Sequence, residues 1–315
     1  NIGINNNDIN KIGTKFSVCN KQFDVFSPQY LKNMELEKYL LLISCSDAYS
    51  VFHQLDDIDM ECCYINFVRG ETNRKDEEKR YYPETLRLTT KPQIPRKIHY
   101  CWFGGNPIPL QNQKWISSWK KYCPDCEIIE WNETNYDVTK NEFILQAYKD
   151  KKWGYVSDYA RLDVIYQHGG IYLDTDVEII KNIDDLFYQK AFSGIDGSKL
   201  ISSGLGFGAI PEFPLIKEMM ELYKDIKFNK QKMIAVPTMM KEFFNEKGYI
   251  NNGEYQIIDD MTIYPEKVLS GKCSFTYRIL PTDHTYMIHH YDGSWVDDAR
   301  KKRKDGIQTL ASKLN

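Results

Sequence analysis

Asp174-Thr175-Asp176 is where this chain most plainly gathers groups that can do chemistry. Two carboxylates one residue apart repel each other unless a proton or a cation lies between them. Successive strand residues face opposite sides, so two carboxylates closing the strand Ile171-Tyr172-Leu173 would project to one side. Hard divalent ions such as Mn²⁺ and Mg²⁺ take oxygen ligands and commonly share them with substrate phosphates. The pair therefore fits a metal–diphosphate platform at a strand end. It equally fits a polar turn after a buried strand.

The flanking sequence says what would position such a pair. Tyr155–His168 (YVSDYARLDVIYQH) carries apolar residues at helical spacing, and Gly169-Gly170 follows as a helix stop. On that helix Asp158 and Arg161 stand three residues apart, on one face. They form either a surface salt bridge or a donor and acceptor facing a ligand, since Arg suits phosphate or sugar contacts and Asp suits sugar hydroxyls. After the pair, Val177–Ile180 reads as a further strand.

Upstream, Lys97–Phe103 (KIHYCWF) is a β-prone run that enters Gly104-Gly105. Ligands sit at the carboxyl ends of strands in open α/β sheets, and glycines let backbone approach them closely. Trp102 there is either a platform for a nucleobase or a core residue. His99, within the strand, is expected to be a satisfied core histidine. A helix over Leu110–Tyr122, a strand over Glu127–Trp131 and a helix over Glu142–Lys149 continue a β-α-β-α pattern. Downstream, strands are expected at Ala191–Ile195 and Ile201–Ile210, and amphipathic helices at Pro214–Phe228 and Pro237–Phe244. The glycines of Ser203–Gly208 suit close approach of an acceptor, which Asp196 or Ser203 could touch.

The 315 residues are 42% hydrophobic and 27% charged, with a formal net charge of −3. That composition gives ample core and no positive field to argue for nucleic acid. No apolar run approaches the ~18 residues that span a bilayer. The N-terminal NIGINNNDINK lacks the apolar stretch of a secretory signal. The eight cysteines are scattered, and Cys123-Pro-Asp-Cys126 follows a helix without a second pair to complete a zinc set, so reduced cytosolic thiols are expected. Residues 1–70 read as short strands around a helix at Asp47–Leu55, a small and partial βαβ unit. Residues 71–93 are a charged, proline-broken linker. A second domain runs over 94–298, and the basic tail 299–315 holds five consecutive cations at 300–304, which read as a solvated face or as a contact for anionic lipid.

IPRKIHYCWFGG, SWKKYCPDCEIIEWN, KKWGYVSDYARLDVIYQHGGIYLDTDVEII and TYMIHHYDGSW occur in that order over roughly Ile94–Trp295. These blocks resemble the DXD sugar-binding glycosyltransferases of the capsular-polysaccharide and yeast initiating-mannosyl type. More distantly they are similar to the glucosyltransferase domains of large clostridial toxins. The resemblance implies an α/β GT-A (Rossmann-like) fold, a UDP-sugar donor, Mn²⁺ or alternatively Mg²⁺, and retaining stereochemistry. It assigns Trp102 to the uracil, Ser157, Asp158 and Arg161 to ribose and sugar, and Tyr172 to the donor site. It sets Asp174 on the sugar side, Asp176 on the metal, and Ser294 and Trp295 over the diphosphate. Where the toxins carry a carboxylate before that Ser–Trp pair, this chain has His289-His290, and a neutral imidazole can bind the metal instead. The two histidines of a strand face opposite ways, so one is expected to reach it: His290, with His289 next.

On that resemblance the expectation is a cytoplasmic hexosyltransferase, with galactose ahead of glucose, working on a glycan or polyprenyl-diphosphate-linked acceptor in surface-polysaccharide synthesis with peripheral membrane contact. A protein-modifying, toxin-like transferase and a catalytically silent nucleotide-sugar binder are the alternatives.

Overall fold

The computed structural model describes residues 4–5, 12–18, 21–26, 41–42, 64–65, 85–197, 199–224, 226–228, 236–272, 274 and 279–293. Residues 1–78 and 79–296 fall in different compact units. In the first, β1 (Ile4–Asn5) pairs parallel with β3 (Lys21–Phe26), and β4 (Leu41–Leu42) pairs parallel with β5 (Tyr64–Ile65). Parallel pairing is what the βαβ reading requires. An antiparallel partner of β3, β2 (Lys15–Val18), was not anticipated, although Phe16 and Val18 alternate with Lys15 and Ser17. The helix expected at Asp47–Leu55 lies outside the described residues.

The second unit is built on β6 (Lys97–Cys101), α1 (Leu110–Tyr122), β7 (Glu127–Trp131), α2 (Glu142–Lys149), α3 (Trp153–His168), β8 (Gly170–Tyr172) and β9 (Val177–Ile179). It continues through β10 (Ala191–Ile195), β11 (Ile201–Ala209), α4 (Pro214–Glu221), α5 (Val236–Glu246), β12 (Gln256–Ile258), β13 (Met261–Tyr264), α6 (Glu266–Leu269) and β14 (Met287–His289). Seven strands form one sheet in the order β12-β13-β10-β11-β8-β6-β7. It is mixed: β6 is parallel to both β7 and β8, and β10 to β13, while β11 runs antiparallel to both neighbours. The β-α-β-α reading of residues 97–172 thus describes one half of the sheet.

Alternation along the strands feeds two cores, one per face. Tyr172 joins the core under α2, α3 and α4, whereas Ile171 and Leu173 join the one against α1. On α3, Ala160, Leu162, Val164 and Ile165 are all 2% exposed or less. Burying each large aliphatic side chain stabilises by roughly 1.5–3 kcal/mol, enough to hold the helix against the sheet. Gly169 ends α3 at φ 60°, its N–H bonded to the carbonyl of Ile165. A Cβ there would lie 2.7 Å from Pro211 and 2.9 Å from Pro95, so conformation and space both require glycine. One element is shorter than expected. α4 stops at Glu221, where the N–H groups of Tyr223 and Lys224 turn to the carbonyls of Met220 and Glu221, and Tyr223 enters the core.

The end of the charged segment is held to this unit. Leu88 and Thr89 donate to the carbonyl of Tyr188, Gln93 and Ile94 to that of Phe187, and Arg87 pairs with Asp184 and Asp185.

His99 is fully buried, and both its nitrogens are engaged, Nδ1 accepting from Trp131 Nε1 at 3.0 Å and Nε2 lying 2.9 Å from the carbonyl of Gly169. It is the core histidine expected. Burial pushes its pKa down to about 4, against the opposing effect of the Gly169 bond. The native state therefore keeps His99 neutral where the unfolded chain, with an ordinary pKa near 6.5, takes up a proton. The stability this contributes is complete above pH 6.5 and is lost as pH falls towards 4, about 3 kcal/mol over the window. Urea midpoints measured from pH 7 to 4 should fall less steeply for His99→Gln than for the unsubstituted protein, and equal slopes would refute the assignment.

Candidate active site

The acidic pair does not continue β8 as a strand. The chain turns at once, the N–H of Val177 bonding to the carbonyl of Asp174 at 3.0 Å, and β9 begins there. The reason given from strand alternation is thus corrected: a tight turn, rather than a pleat, brings Asp174 and Asp176 together. Three contacts from α1 fix this turn and the strand after it. Asn112 Nδ2 reaches Thr175 (3.3 Å to Oγ1), Trp119 Nε1 donates to the carbonyl of Val177 (2.8 Å), and Ser118 Oγ accepts from the N–H of Ile179 (2.9 Å).

Arg161 projects from α3 beneath the pair. Its guanidinium is 2.9 Å from Asp158 and 3.4 Å from Asp174, its Nε donates to the carbonyl of Ser157 at 3.1 Å, and its Cζ lies 5.0 Å above the Tyr172 ring. Asp158 and Arg161 are therefore paired at the site, Arg161 buried and Asp158 partly so. A guanidinium this buried is tolerable only with such partners. Burial raises Asp158 to about 6, with Arg161 opposing. Burial also raises the Asp174 carboxyl, and the neighbouring charge of Asp176 adds to that against Arg161.

Asp176 is held from the other side. β14 pairs antiparallel with β9, setting His289 opposite Val177, and His289 Nε2 lies 3.2 Å from Asp176 Oδ1. The N–H of Asp292 donates to Asp176 Oδ2 at 2.8 Å, and the N–H of His290 to its carbonyl at 2.9 Å. Burial opposes charge on Asp176, yet His289, the N–H of Asp292 and the residue's own N–H hold its carboxyl well below the usual range. For His289 burial works downward, and Asp176 beside it raises the pKa on balance.

Asp174, Asp176 and His289 each offer one ligand atom, and the three atoms lie within 4.8 Å of one another. Two carboxylate oxygens and an imidazole nitrogen suit Mn²⁺ or Mg²⁺, the nitrogen favouring Mn²⁺. The expectation that His290 would reach the pair is corrected. Its ring stacks on Trp115 at 4.3 Å and its Nε2 lies 2.9 Å from Glu178, on the far side of the strand from His289. The expected opposition of the two histidines holds; the choice between them depends on pairing register.

The remaining residues fall at different distances from the turn. Tyr172 is 1% exposed, so it supports Arg161 and presents no surface to a ligand. Ser157 Oγ bonds back to the carbonyl of Trp153 at 3.2 Å. Trp102 lies half-buried beyond the end of β6, its Nε1 bonded to the carbonyl of Asn106. Ser294 and Trp295 lie outside the described residues. Asn112 and Gly204 were not singled out by sequence. Gly204 packs on Asp174 from β11, and its one signal was its place among alternating glycines.

Residues 109–193, from the start of α1 through the turn to β10, match the family model of a glycosyltransferase sugar-binding region containing a DXD motif. This segment, about a quarter of the chain, is similar to that family. Inositol phosphoceramide mannosyltransferase 1 of Schizosaccharomyces pombe is 27% identical over 158 residues, 47% of this chain and 47% of that protein. The alpha-1,4-N-acetylglucosaminyltransferase of Homo sapiens is 36% identical over 104 residues, 32% of this chain and 26% of its own length. A glycosyltransferase of Acanthamoeba polyphaga mimivirus is 26% identical over 216 residues, 64% of this chain and 84% of that one. The chain thus spans less than half the length of the first two.

The geometry separates the two histidines experimentally. His289→Ala should weaken Mn²⁺ binding, followed by electron paramagnetic resonance of the free ion, by about tenfold or more (about 1.4 kcal/mol). His290→Ala should leave it within about twofold. The reverse ranking would return the ligand role to His290.

Proposed function

We propose that this unit is a GT-A-type, metal-dependent, retaining glycosyltransferase that moves a hexose from a UDP-sugar to a glycan or polyprenyl-diphosphate-linked acceptor in surface-polysaccharide synthesis. The observation that carries the proposal is the convergence of Asp174 and Asp176, from the DXD-containing region, with His289 of β14, beside the Asp158–Arg161 pair. The relatives, which include mannosyl- and N-acetylglucosaminyltransferases, support glycosyl transfer, and a donor panel decides the sugar.

In this reading Asp176, His289 and one oxygen of Asp174 would hold the ion, which when bound would supply a Lewis acid to the departing diphosphate. Asp174, neutralised from below by Arg161, faces the sugar side. Asp158 carries a carboxylate oxygen beyond the one nearest Arg161, suited to accept from a sugar hydroxyl, and the guanidinium lends positive potential where charge develops. Trp102 stacks on the base, and the family resemblance assigns Ser294 and Trp295, which lie outside the described residues, to the diphosphate. The acceptor hydroxyl loses its proton to the leaving phosphate on the same face, so no enzymic base is assigned. A lipid-linked acceptor implies work at the cytoplasmic membrane surface as a peripheral protein; among the described residues no helix is long and apolar enough to cross a membrane.

The test is nucleotide release from UDP-galactose, UDP-glucose, UDP-N-acetylglucosamine and GDP-mannose with Mn²⁺. Release should be confined to UDP donors, should stop with a chelator, and should fall on the order of a hundredfold or more in Asp176→Asn. A preference for GDP-mannose would overturn the donor, and no release with any donor would favour the silent binder.

A further inference from the structure

β11 does not follow its neighbours evenly. Against β10, Ser193 pairs with Phe207 but the next residue, Gly194, pairs with Ser202, so residues 203–206 bulge out of that register. On its other edge β11 meets β8 only at Phe207, Gly208 and Ala209, opposite Tyr172, Ile171 and Gly170. The bulge therefore begins where β8 ends, and it runs beside the acidic turn. Its two glycines meet that turn differently. Gly206 has φ 122°, a conformation that requires glycine, and a Cβ there would contact Leu173 and Met287 at 3.1 and 3.4 Å. Gly204 has no positive φ, so its φ does not by itself require glycine. A Cβ at 204 would nevertheless lie 2.7 Å from Asp174 Oδ2 and 3.3 Å from Arg161 Nη1. The glycine is needed there for space against one carboxylate.

We infer that Gly204 is a positioning residue: the side chain it lacks leaves the room in which the Asp174 carboxylate leans on Arg161 while keeping an oxygen within reach of Asp176 and His289. A methyl group at 204 must displace the carboxylate, because Arg161 behind it is fixed by Asp158, the carbonyl of Ser157 and the Tyr172 ring. Residues that orient metal ligands typically change metal affinity by about 10–100-fold when substituted. This inference rests on the metal reading of the site.

Four proteins test it: the unsubstituted chain, Gly204→Ala, Asp174→Ala and the double variant. Removing the Asp174 side chain removes the clash, so the double variant folds as Asp174→Ala does. Two measurements are made, Mn²⁺ affinity from the free-ion resonance and the Tm without metal. Gly204→Ala should lower Mn²⁺ affinity about tenfold or more and lower the Tm, and both effects should vanish in the Asp174→Ala background. Unchanged Mn²⁺ affinity in Gly204→Ala, or equal fold losses in both backgrounds, overturns the positioning role. No Mn²⁺ binding by the unsubstituted protein would defeat the metal reading instead, and the metal-free Tm cycle would still decide whether Gly204 acts on Asp174.

Discussion

Two carboxylates cannot share a half-buried turn without positive charge close by, and here that charge is Arg161. Its guanidinium touches Asp158 and Asp174 and lies over Tyr172, while His289 faces Asp176. Against three carboxylates stands one permanent cation, so with a neutral imidazole the cluster keeps two negative charges (three minus one). Without a metal, a proton on His289 offsets one of them, in line with its raised pKa. A divalent ion would offset both and take the proton's place on the imidazole nitrogen. The electrostatics thus leave a deficit of the size that a divalent ion fills.

Arg161 can do this only because the backbone around it is rigid. α3 carries Asp158 and Arg161 on one face and aliphatic residues through the core, and Gly169 turns the chain directly into β8. The distance from the guanidinium to Asp174 is set by one helix, one stop and one short strand, all within sixteen residues of sequence from Asp158 to Asp174. Asp158→Arg161→Asp174 is accordingly a local unit. His289 reaches the site through strand pairing more than a hundred residues along the chain.

That contrast explains what the sequence made legible. The helix, its glycine stop, the strand and the acidic pair follow local rules of periodicity and capping, and α1, β7, α2 and β10 were read at their observed bounds. Asp158 and Arg161 were readable as neighbours because helical spacing fixes i and i+3. The choice between His289 and His290 was not readable, since a one-residue change of register exchanges their faces and nothing local sets the register of β14 on β9. Burial of Tyr172 was likewise hidden: a tyrosine beside an acidic motif looks like a binding group until the core on its face is known. Gly204 escaped because glycine in a strand signals close approach without naming what approaches.

The site also lies at a joint. Asp174 follows β8, which belongs to the seven-stranded sheet, whereas Asp176 precedes β9, which pairs with β14 in a separate two-stranded sheet. The turn between them is therefore the hinge of two sheets, each delivering part of the ligand set: Asp174 with Arg161 behind it from one, Asp176 with His289 from the other. Sheets joined by only four residues, Leu173–Asp176, could shift against each other, and ångström shifts would spoil a set of atoms only 4.8 Å across. What resists this is α1, whose Asn112, Ser118 and Trp119 hold the turn and β9 at three points while Trp119 packs with no exposed surface into the core of the larger sheet. The helix couples the small sheet to the large one, so its packing governs where Asp176 and His289 stand relative to Asp174.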